Sequence, residues 1–216
     1  MQAAIMEALG LGRMIMIRQA VKTDIDAVEN SYTELLTYEK EHGGSSNWVL
    51  GVYPTREVAE RSYGEGTLYV LEEGAEICAS MILNQYQSDD YREMEWMYPA
   101  DDSEVLVIHT LCIPPSKAGR GYGKKMVQYA IEHARKMNCT AIRLDTWAGN
   151  EPAAALYQKF GFRYVGVTDV LLQGLIPEKQ VFFEKKLDEA GPVLFFIYRS
   201  DIMYPALHFC TDMQRL

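Results

Sequence analysis

VLVIHTLCIPPSKAGRGYGKKMVQYAIEHARKM, residues 105–137, is the stretch whose reading decides the fold. Val105 to Ile113 is rich in β-branched and apolar side chains and reads as a strand. It is closed by Pro114 and Pro115, neither of which can donate to a sheet ladder. Glycines at 119, 121 and 123 make a turn. Beyond it Met126, Val127, Ala130, Ile131, Ala134 and Met137 recur at steps of three and four, which is one apolar face of a helix. Ala141 to Asp145 then reads as a second strand.

Outward from this strand, helix, strand unit the pattern changes. Downstream, Pro152 to Lys159 is a short helix with proline in its first turn, and Phe162 to Val170 and Val181 to Lys186 are two closing strands. Upstream, Thr67 to Leu71 and Ile77 to Leu83 form a hairpin around Glu73-Gly74. Ahead of them a first strand, Met14 to Arg18, precedes a helix with Thr23 and Asp24 at its N-cap. Ile25, Val28, Tyr32, Leu35 and Leu36 line its apolar face, and it ends near Gly43 and Gly44. The segment SSNWVLGVYP, 45–54, carries turn residues around Trp48 and Tyr53 and leads into a shorter helix through Arg56, Val58, Ala59 and Arg61. Residues 89–104, DDYREMEWMYPADDSE, are acidic and aromatic with little periodicity. The order is that of a mixed α/β sheet and not of a fully alternating one.

The 216 residues are 48% apolar and 24% charged, a globular composition that excludes disordered, collagenous and repeat-fibre readings. No linker divides the middle, so one domain spans 16–187, with an N-terminal extension at 1–15 and a C-terminal one at 188–216. The latter holds the apolar run VLFFIY, which reads as an edge strand, an oligomer contact or an unstructured tail. A net charge of −9 argues against nucleic acid or an anionic membrane as partner and leaves room for a cationic substrate. Cys78, Cys112, Cys139 and Cys210 are far apart with no CxxC pair, so the expectation is reduced thiols, no metal and a cytoplasmic location. No apolar run reaches the about 20 residues that cross a bilayer.

A strand, a turn with alternate glycines and a helix can grip a pyrophosphate. Glycines let backbone N–H groups converge, and the helix N-terminus carries roughly half a positive charge. Lys117, Arg120, Lys124 and Lys125 gather there in an otherwise acidic chain. A nucleotide P-loop is excluded, because Gly123-Lys124 is followed by Lys125 and no glycine stands five places earlier. A dinucleotide fingerprint needs G-x-G-x-x-G where this turn is G-x-G-x-G, although Asp145 falls about 20 residues on, where a ribose-binding acid belongs.

GRGYG, 119–123, resembles the acyl-CoA-binding motif Q/R-x-x-G-x-G/A of the GNAT superfamily of N-acetyltransferases, and the preceding Ile113-Pro114-Pro115 resembles its proline-containing loop. Asn150, Ala153, Leu156, Tyr157, Lys159, Gly161 and Phe162 match a second block of that family, N-x-x-A-x-x-L-Y-x-K-x-G-F. Ala118 departs from the motif's Q/R, which weakens a side-chain contact and leaves the backbone amides in place. The resemblance implies a mostly antiparallel central sheet of six to seven strands, helices on both faces and a parallel strand–helix–strand core at 105–145. It implies acetyl-CoA as cosubstrate and direct acetyl transfer to a primary amine of a small molecule or peptide. The other readings are a non-catalytic acyl-CoA-binding regulator and an NAD(P)-dependent oxidoreductase.

The same resemblance implies site roles. The backbone N–H of Leu111 would hold the thioester oxygen and Ile113 would pair with the pantetheine arm. The run Ala118, Gly119, Arg120, Gly121, Tyr122, Gly123, Lys124 would take the pyrophosphate, and Asn150 would contact the cofactor. Tyr157 matches the tyrosine that protonates the leaving thiolate. Many relatives carry a glutamate where this chain has Val107; two residues on, His109 shares its strand face, and an imidazole with a pKa near ~6.5 suits a base. A buried histidine bonded to a backbone carbonyl is the other reading of His109, and Glu93 and Glu95 are further base candidates. His42, His133 and His208 have no comparable context, His133 lying on the polar side of its helix. The acceptor site falls on segments holding Trp48, Tyr53, Glu93, Glu95 and Trp96, where aromatic faces and carboxylates suit an organic cation. The same exposed aromatics also fit a homodimer contact.

Overall fold

The computed structural model describes residues 14–187. The expectations for 1–13, for 188–216, for Cys210 and for His208 lie outside the described residues. Among the described residues seven strands form one sheet: β1 (Ile15–Gln19), β2 (Leu68–Glu73), β3 (Glu76–Asn84), β4 (Val105–Cys112), β5 (Ala141–Trp147), β6 (Arg163–Leu172) and β7 (Ile176–Lys186). Their order is β1-β2-β3-β4-β5-β7-β6. Every neighbouring pair is antiparallel except β4 and β5, which the 15-residue crossover helix α4 (Tyr122–Lys136) sets parallel. The remaining helices are α1 (Ile25–His42), α2 (Arg56–Gly64), the single turn α3 (Asp89–Arg92) and α5 (Glu151–Lys159).

Alternation along the strands divides the apolar residues between two faces. Leu106, Ile108, Ile142, Leu144 and Phe183 meet Met126, Val127, Ala130 and Ile131 of α4 and Tyr157 of α5. On the other face Val28 and Tyr32 of α1 and Val58 and Ala59 of α2 close over Leu68, Val70 and Ile82. Farther along that second face the described residues place no long helix. Tyr91, Met94 and Trp96, from the segment 85–104, cover Val105, Val107, Ala141 and Phe182 instead.

Three local expectations are corrected. Asp24 stands at the head of α1 without capping it, because its carboxylate accepts Arg18 Nη1 at 2.6 Å, Arg18 Nη2 at 3.1 Å and the Val21 N–H at 2.8 Å. Met137 falls just past the end of α4 and is exposed, since the buried face stops at Ala134. His133 is not on a purely polar side: it stacks on Tyr129 and its Nε2 lies 3.2 Å from the Tyr69 hydroxyl, packed against β2.

The feature that positions a site is where the parallel pair stops. β4 and β5 pair from Val105–Ala141 to Ile108–Leu144. After that β4 stays with β3 as far as Cys112, while β5 stays with β7 as far as Trp147. The sheet therefore splits, with 109–112 on one lip and 145–147 on the other. A bulge marks the divergence: Thr110 and Leu111 together oppose Met81, and Thr110 takes φ +47°, an uncommon conformation for a β-branched residue.

Candidate active site

On the helix α4–α5 side of the split the chain leaves β4 at Ile113, makes one tight turn at Pro115–Lys117 and reaches Gly119 and Gly121. Both glycines have positive φ, +76° and +77°, and a Cβ on either would meet no atom within 4 Å. The requirement is conformational and leaves their N–H groups at an open mouth. Gly121 is the N-cap of α4, so the first-turn N–H groups lack intrahelical partners and the positive end of the helix faces out. Arg120, Lys124 and Lys125 are exposed around it. Lys117 is not a free cation of this mouth: its Nζ is paired 2.5 Å from Glu76 Oε1. Tyr122 turns inward, its ring buried and its hydroxyl donating to Glu73 Oε2 at 2.6 Å, so only its backbone belongs to the mouth. At Gly123 a Cβ would come within 3.2 Å of Ile113 and Leu156 side chains, a close approach that seats α4 against both. Leu111 and Ile113 are partly buried and pack on the same core. Ala118 stands exposed at the approach to the turn.

On the opposite face the split opens into a cleft of about 650 Å³. His109, Thr110, Asp145 and Thr146 form its floor. Trp48, Tyr53 and Arg61 make one wall, Tyr86, Asp90 and Tyr91 another, and Glu178 and Gln180 of β7 close the end. The Tyr53 hydroxyl lies 2.6 Å from Thr110 Oγ1, tying the wall to the bulge, and burial pushes its phenol up to about 12.

Burial also sets the charge states of the floor. His109 donates from Nε2 to Oδ1 of Asn84 at 3.0 Å, the same oxygen that accepts the Tyr86 N–H. Desolvation lowers its pKa to about 4, so the imidazole is neutral near pH 7. Asp145 accepts the Tyr91 hydroxyl on Oδ1 at 2.5 Å, and burial, with Asp90 nearby, lifts its carboxyl to about 6. Burial likewise raises Glu178, which is held by Asn47 Nδ2 at 2.7 Å and Gln180 Nε2 at 2.8 Å.

Tyr157 lies on the α4–α5 side, packed edge-on to Phe162 with ring centroids 5.7 Å apart. Burial raises its phenol, and so does the nearby charge of Asp145 across the split. Asn150 caps α5 by accepting the Ala153 N–H on Oδ1 at 3.1 Å, and it also lines the cleft. Of the expected acceptor residues, Trp48 and Tyr53 line the cleft, whereas Glu93, Glu95 and Trp96 do not. Glu93 and Glu95 are exposed to solvent. Trp96 is a strut: its Nε1 donates to the Tyr91 carbonyl at 2.8 Å and its ring lies 4.2 Å beneath the Arg143 guanidinium. Asp90, from the acidic and aromatic run 89–104 expected at the acceptor side, does face the cleft, and so do Asp145 and Glu178, which have no such assignment from sequence. The readable signal was a charged residue at alternate positions of apolar strands, Arg143 and Asp145 in β5 and Glu178 in β7.

A mixed sheet whose single parallel pair divides beside a helix-opening glycine turn agrees with the fold that the GNAT resemblance implies. The chain belongs to the acetyltransferase (GNAT) family, whose sequence profile matches residues 27–162. It is 26% identical over 161 residues to an uncharacterized N-acetyltransferase of Methanocaldococcus jannaschii, covering 74% of this chain and 66% of that protein, just under two thirds of its length. It is 30% identical over 115 residues to the spermine/spermidine N(1)-acetyltransferase of Bacillus subtilis, covering 50% of this chain and 76% of the relative. In fold it is similar to an acetyltransferase of Salmonella typhimurium solved with its cofactor acetyl-CoA, with a TM-score of 0.58, 18% identity, and 82% and 95% of the two chains covered.

Proposed function

We propose that the protein is an N-acetyltransferase that moves an acetyl group from acetyl-CoA directly to a primary amine of a small or peptide substrate. The observation that carries this is the split between β4 and β5, with a phosphate-grade helix mouth on one face and an acidic, aromatic cleft on the other. A cofactor lying along β4 from the mouth would bring its thioester to the split, where Leu111 and its N–H stand in the bulge on the lip. The acceptor would enter from the cleft, where Trp48, Tyr53 and the carboxylates of Asp145 and Glu178 suit an organic cation. A polyamine, an amino sugar, a small amine or a peptide N-terminus satisfies that chemistry.

In this reading Gly119, Arg120, Gly121, Gly123 and Lys124, with the backbone of Ala118 and Tyr122, take the pyrophosphate. Ile113 runs beside the pantetheine arm and Asn150 meets it near the thioester. Attack by the neutral amine gives a tetrahedral oxyanion facing the Leu111 N–H, and collapse expels the thiolate, to which Tyr157 gives its proton. His109 lines the acceptor side as a neutral hydrogen-bonding group. Direct transfer is supported by the thiols: the described cysteines are buried, and burial raises Cys112, so none is an exposed thiolate. The dinucleotide reading loses its footing, because one parallel pair in an otherwise antiparallel sheet leaves no doubly wound crevice for Asp145 to serve as a ribose acid.

A thermal-shift series with acetyl-CoA, CoA, NAD, NADP and ATP tests the cofactor. Acetyl-CoA at about 100 times its dissociation constant adds ~2.7 kcal/mol to the native state. Stabilisation by a nicotinamide dinucleotide alone overturns the reading. Turnover of an amine panel, followed by free thiol, separates the enzyme from a regulator that only binds.

A further inference from the structure

We infer that Asp145 is the general base of this site, taking the proton from the acceptor's ammonium group, with Tyr91 as the residue that positions it. The inference rests on the acetyltransferase reading and names the group which that reading leaves open.

The placement is geometric. Asp145 is the first residue of β5 beyond the last parallel pair, Ile108–Leu144, so it sits on the lip of the split directly across from His109. Strand alternation puts it on the cleft face, opposite to Leu144 and Phe183, which face α4. Base and acid therefore lie on opposite faces of one opening: Asp145 on the acceptor side and Tyr157 on the cofactor side. An amine reaching the split from the cleft meets Asp145 before it meets the thioester.

Only one carboxylate oxygen is engaged by a neighbouring side chain. Oδ1 accepts the Tyr91 hydroxyl and the Asp145 backbone N–H also bonds the carboxylate, and Oδ2 is assigned to a substrate N–H. Tyr91 is in turn fixed by ring contacts to Phe182 and Trp96. The charged and titratable neighbours come from every packed element: Asp90 and Tyr91 from α3, His109 from β4, Tyr157 from α5, Glu178 from β7, Tyr53 from the segment before α2 and Arg61 from α2. Arg143, one residue removed on the same strand face, is committed to Glu184 and acts on Tyr91 only through space. Arg61 of α2 is the cation on the far wall of the cleft; the other groups there are anionic or neutral, and burial with Asp90 nearby keeps the carboxyl basic for an aspartate. Burial lowers His109 to about 4 and raises Asp145 to about 6, so of the two groups facing each other across the split the carboxyl is the stronger base.

The step balances. The ammonium N–H breaks and its proton goes to Oδ2 of Asp145 and then to solvent. The free amine forms the N–C bond, the C–S bond breaks, and the thiolate takes a proton from Tyr157. The second proton, lost from the attacking nitrogen, restores Tyr157. The products are amide, CoA thiol and one released proton.

The test is the pH profile of kcat/KM with acetyl-CoA and an alkylamine that the wild type acetylates. The wild type should show an acid limb near pH 6. Asp145→Asn should lose that limb and fall by roughly 10²-fold or more, while His109→Gln should keep it. Tyr91→Phe, lacking the hydroxyl that steadies the carboxylate, should move the limb to higher pH. With a weakly basic amine that is already neutral at the assay pH, the Asp145→Asn penalty should shrink at least tenfold, which a merely misfolded site would not produce. A limb retained in Asp145→Asn, or an equal penalty for both amines, overturns the assignment. Absence of wild-type turnover with every amine would instead strike the acetyltransferase reading itself.

Discussion

Arg143 Nε donates to Glu184 Oε1 at 3.0 Å, and no part of Glu184 reaches solvent. The pair joins β5 to β7, and each partner also binds the segment 85–104. Arg143 reaches the Tyr98 carbonyl at 3.0 Å and Gln87 Oε1 at 2.7 Å, while Glu184 Oε2 accepts the Met97 and Tyr98 N–H groups at 2.9 and 3.2 Å. An aperiodic stretch is thereby held where other parts of the sheet have a helix, and Tyr91 is held over Asp145.

Removing one half of this pair leaves the other charge buried. Arg143→Met or Glu184→Ala should therefore cost about 3–5 kcal/mol in denaturant unfolding, far more than a surface pair. The apolar double variant Arg143→Met with Glu184→Leu should recover part of that stability while still losing the 97–98 N–H acceptor. Single-variant losses below about 1 kcal/mol would show that the pair does not anchor the segment.

This clamp also explains what the sequence could and could not convey. The strand–turn–helix unit from 105 to 137 was legible because its signals are local: β-branched residues, paired prolines, alternate glycines and a helical stripe lie within one window. The open glycine turn at the head of α4 lies in the same window, apart from Lys117, whose pairing with Glu76 depends on a hairpin some 40 residues earlier. The cleft on the other face was not legible in this way. Glu93 and Glu95 look like Asp145 in composition, and only the long-range contacts of Arg143 and Glu184 turn them to solvent and bring Tyr91 inward. Nothing within ten residues of Asp145 announces Tyr91, Tyr53 or Glu178 as its neighbours.

The glycine turn makes two different demands. At Gly121 the φ of +77° is the whole constraint, so Gly121→Ala should cost about 1 kcal/mol of stability and weaken acetyl-CoA binding by disturbing the mouth. At Gly123 the constraint is space, since a methyl would press on Ile113 and Leu156. Gly123→Ala should therefore shift α4 from α5 and reduce thermal stability more than a substitution of exposed Lys124 does. Calorimetry with and without acetyl-CoA separates the two, and equal behaviour of all three variants would contradict this division.

Asp145 should also leave a mark on stability. Its carboxyl is raised from 3.8 to about 6 by burial, so folding favours its protonated form. That contribution is fully present below about pH 4 and is lost as pH rises through 6, above which the native state holds a partly desolvated carboxylate at a cost. Asp145→Asn, which can still accept from Tyr91, removes the cost. Its stability relative to wild type should rise between pH 4 and pH 7 by about 1 kcal/mol, discounted for partial exposure to the cleft. A difference that stays constant over that range would mean the carboxyl titrates as in solution.

Tyr157 offers the sharpest separation of chemistry from packing. Its ring is buried among Phe162, Phe183 and the α4–α5 core, yet no described residue hydrogen-bonds its hydroxyl, so packing does not explain why the oxygen is there. Tyr157→Phe keeps the ring and should leave thermal stability nearly unchanged, because the hydroxyl bonds no described residue and the ring packing is retained. Turnover should nevertheless fall roughly 10²-fold or more with little change in the KM for acetyl-CoA, since the hydroxyl acts when the thiolate leaves and not when the cofactor binds. Burial raises this phenol, so it stays protonated across the working pH range and is available as a donor. If kcat is unchanged, the thiolate takes its proton from solvent and Tyr157 is a packing residue; if KM alone rises, its hydroxyl binds the cofactor and does not protonate it.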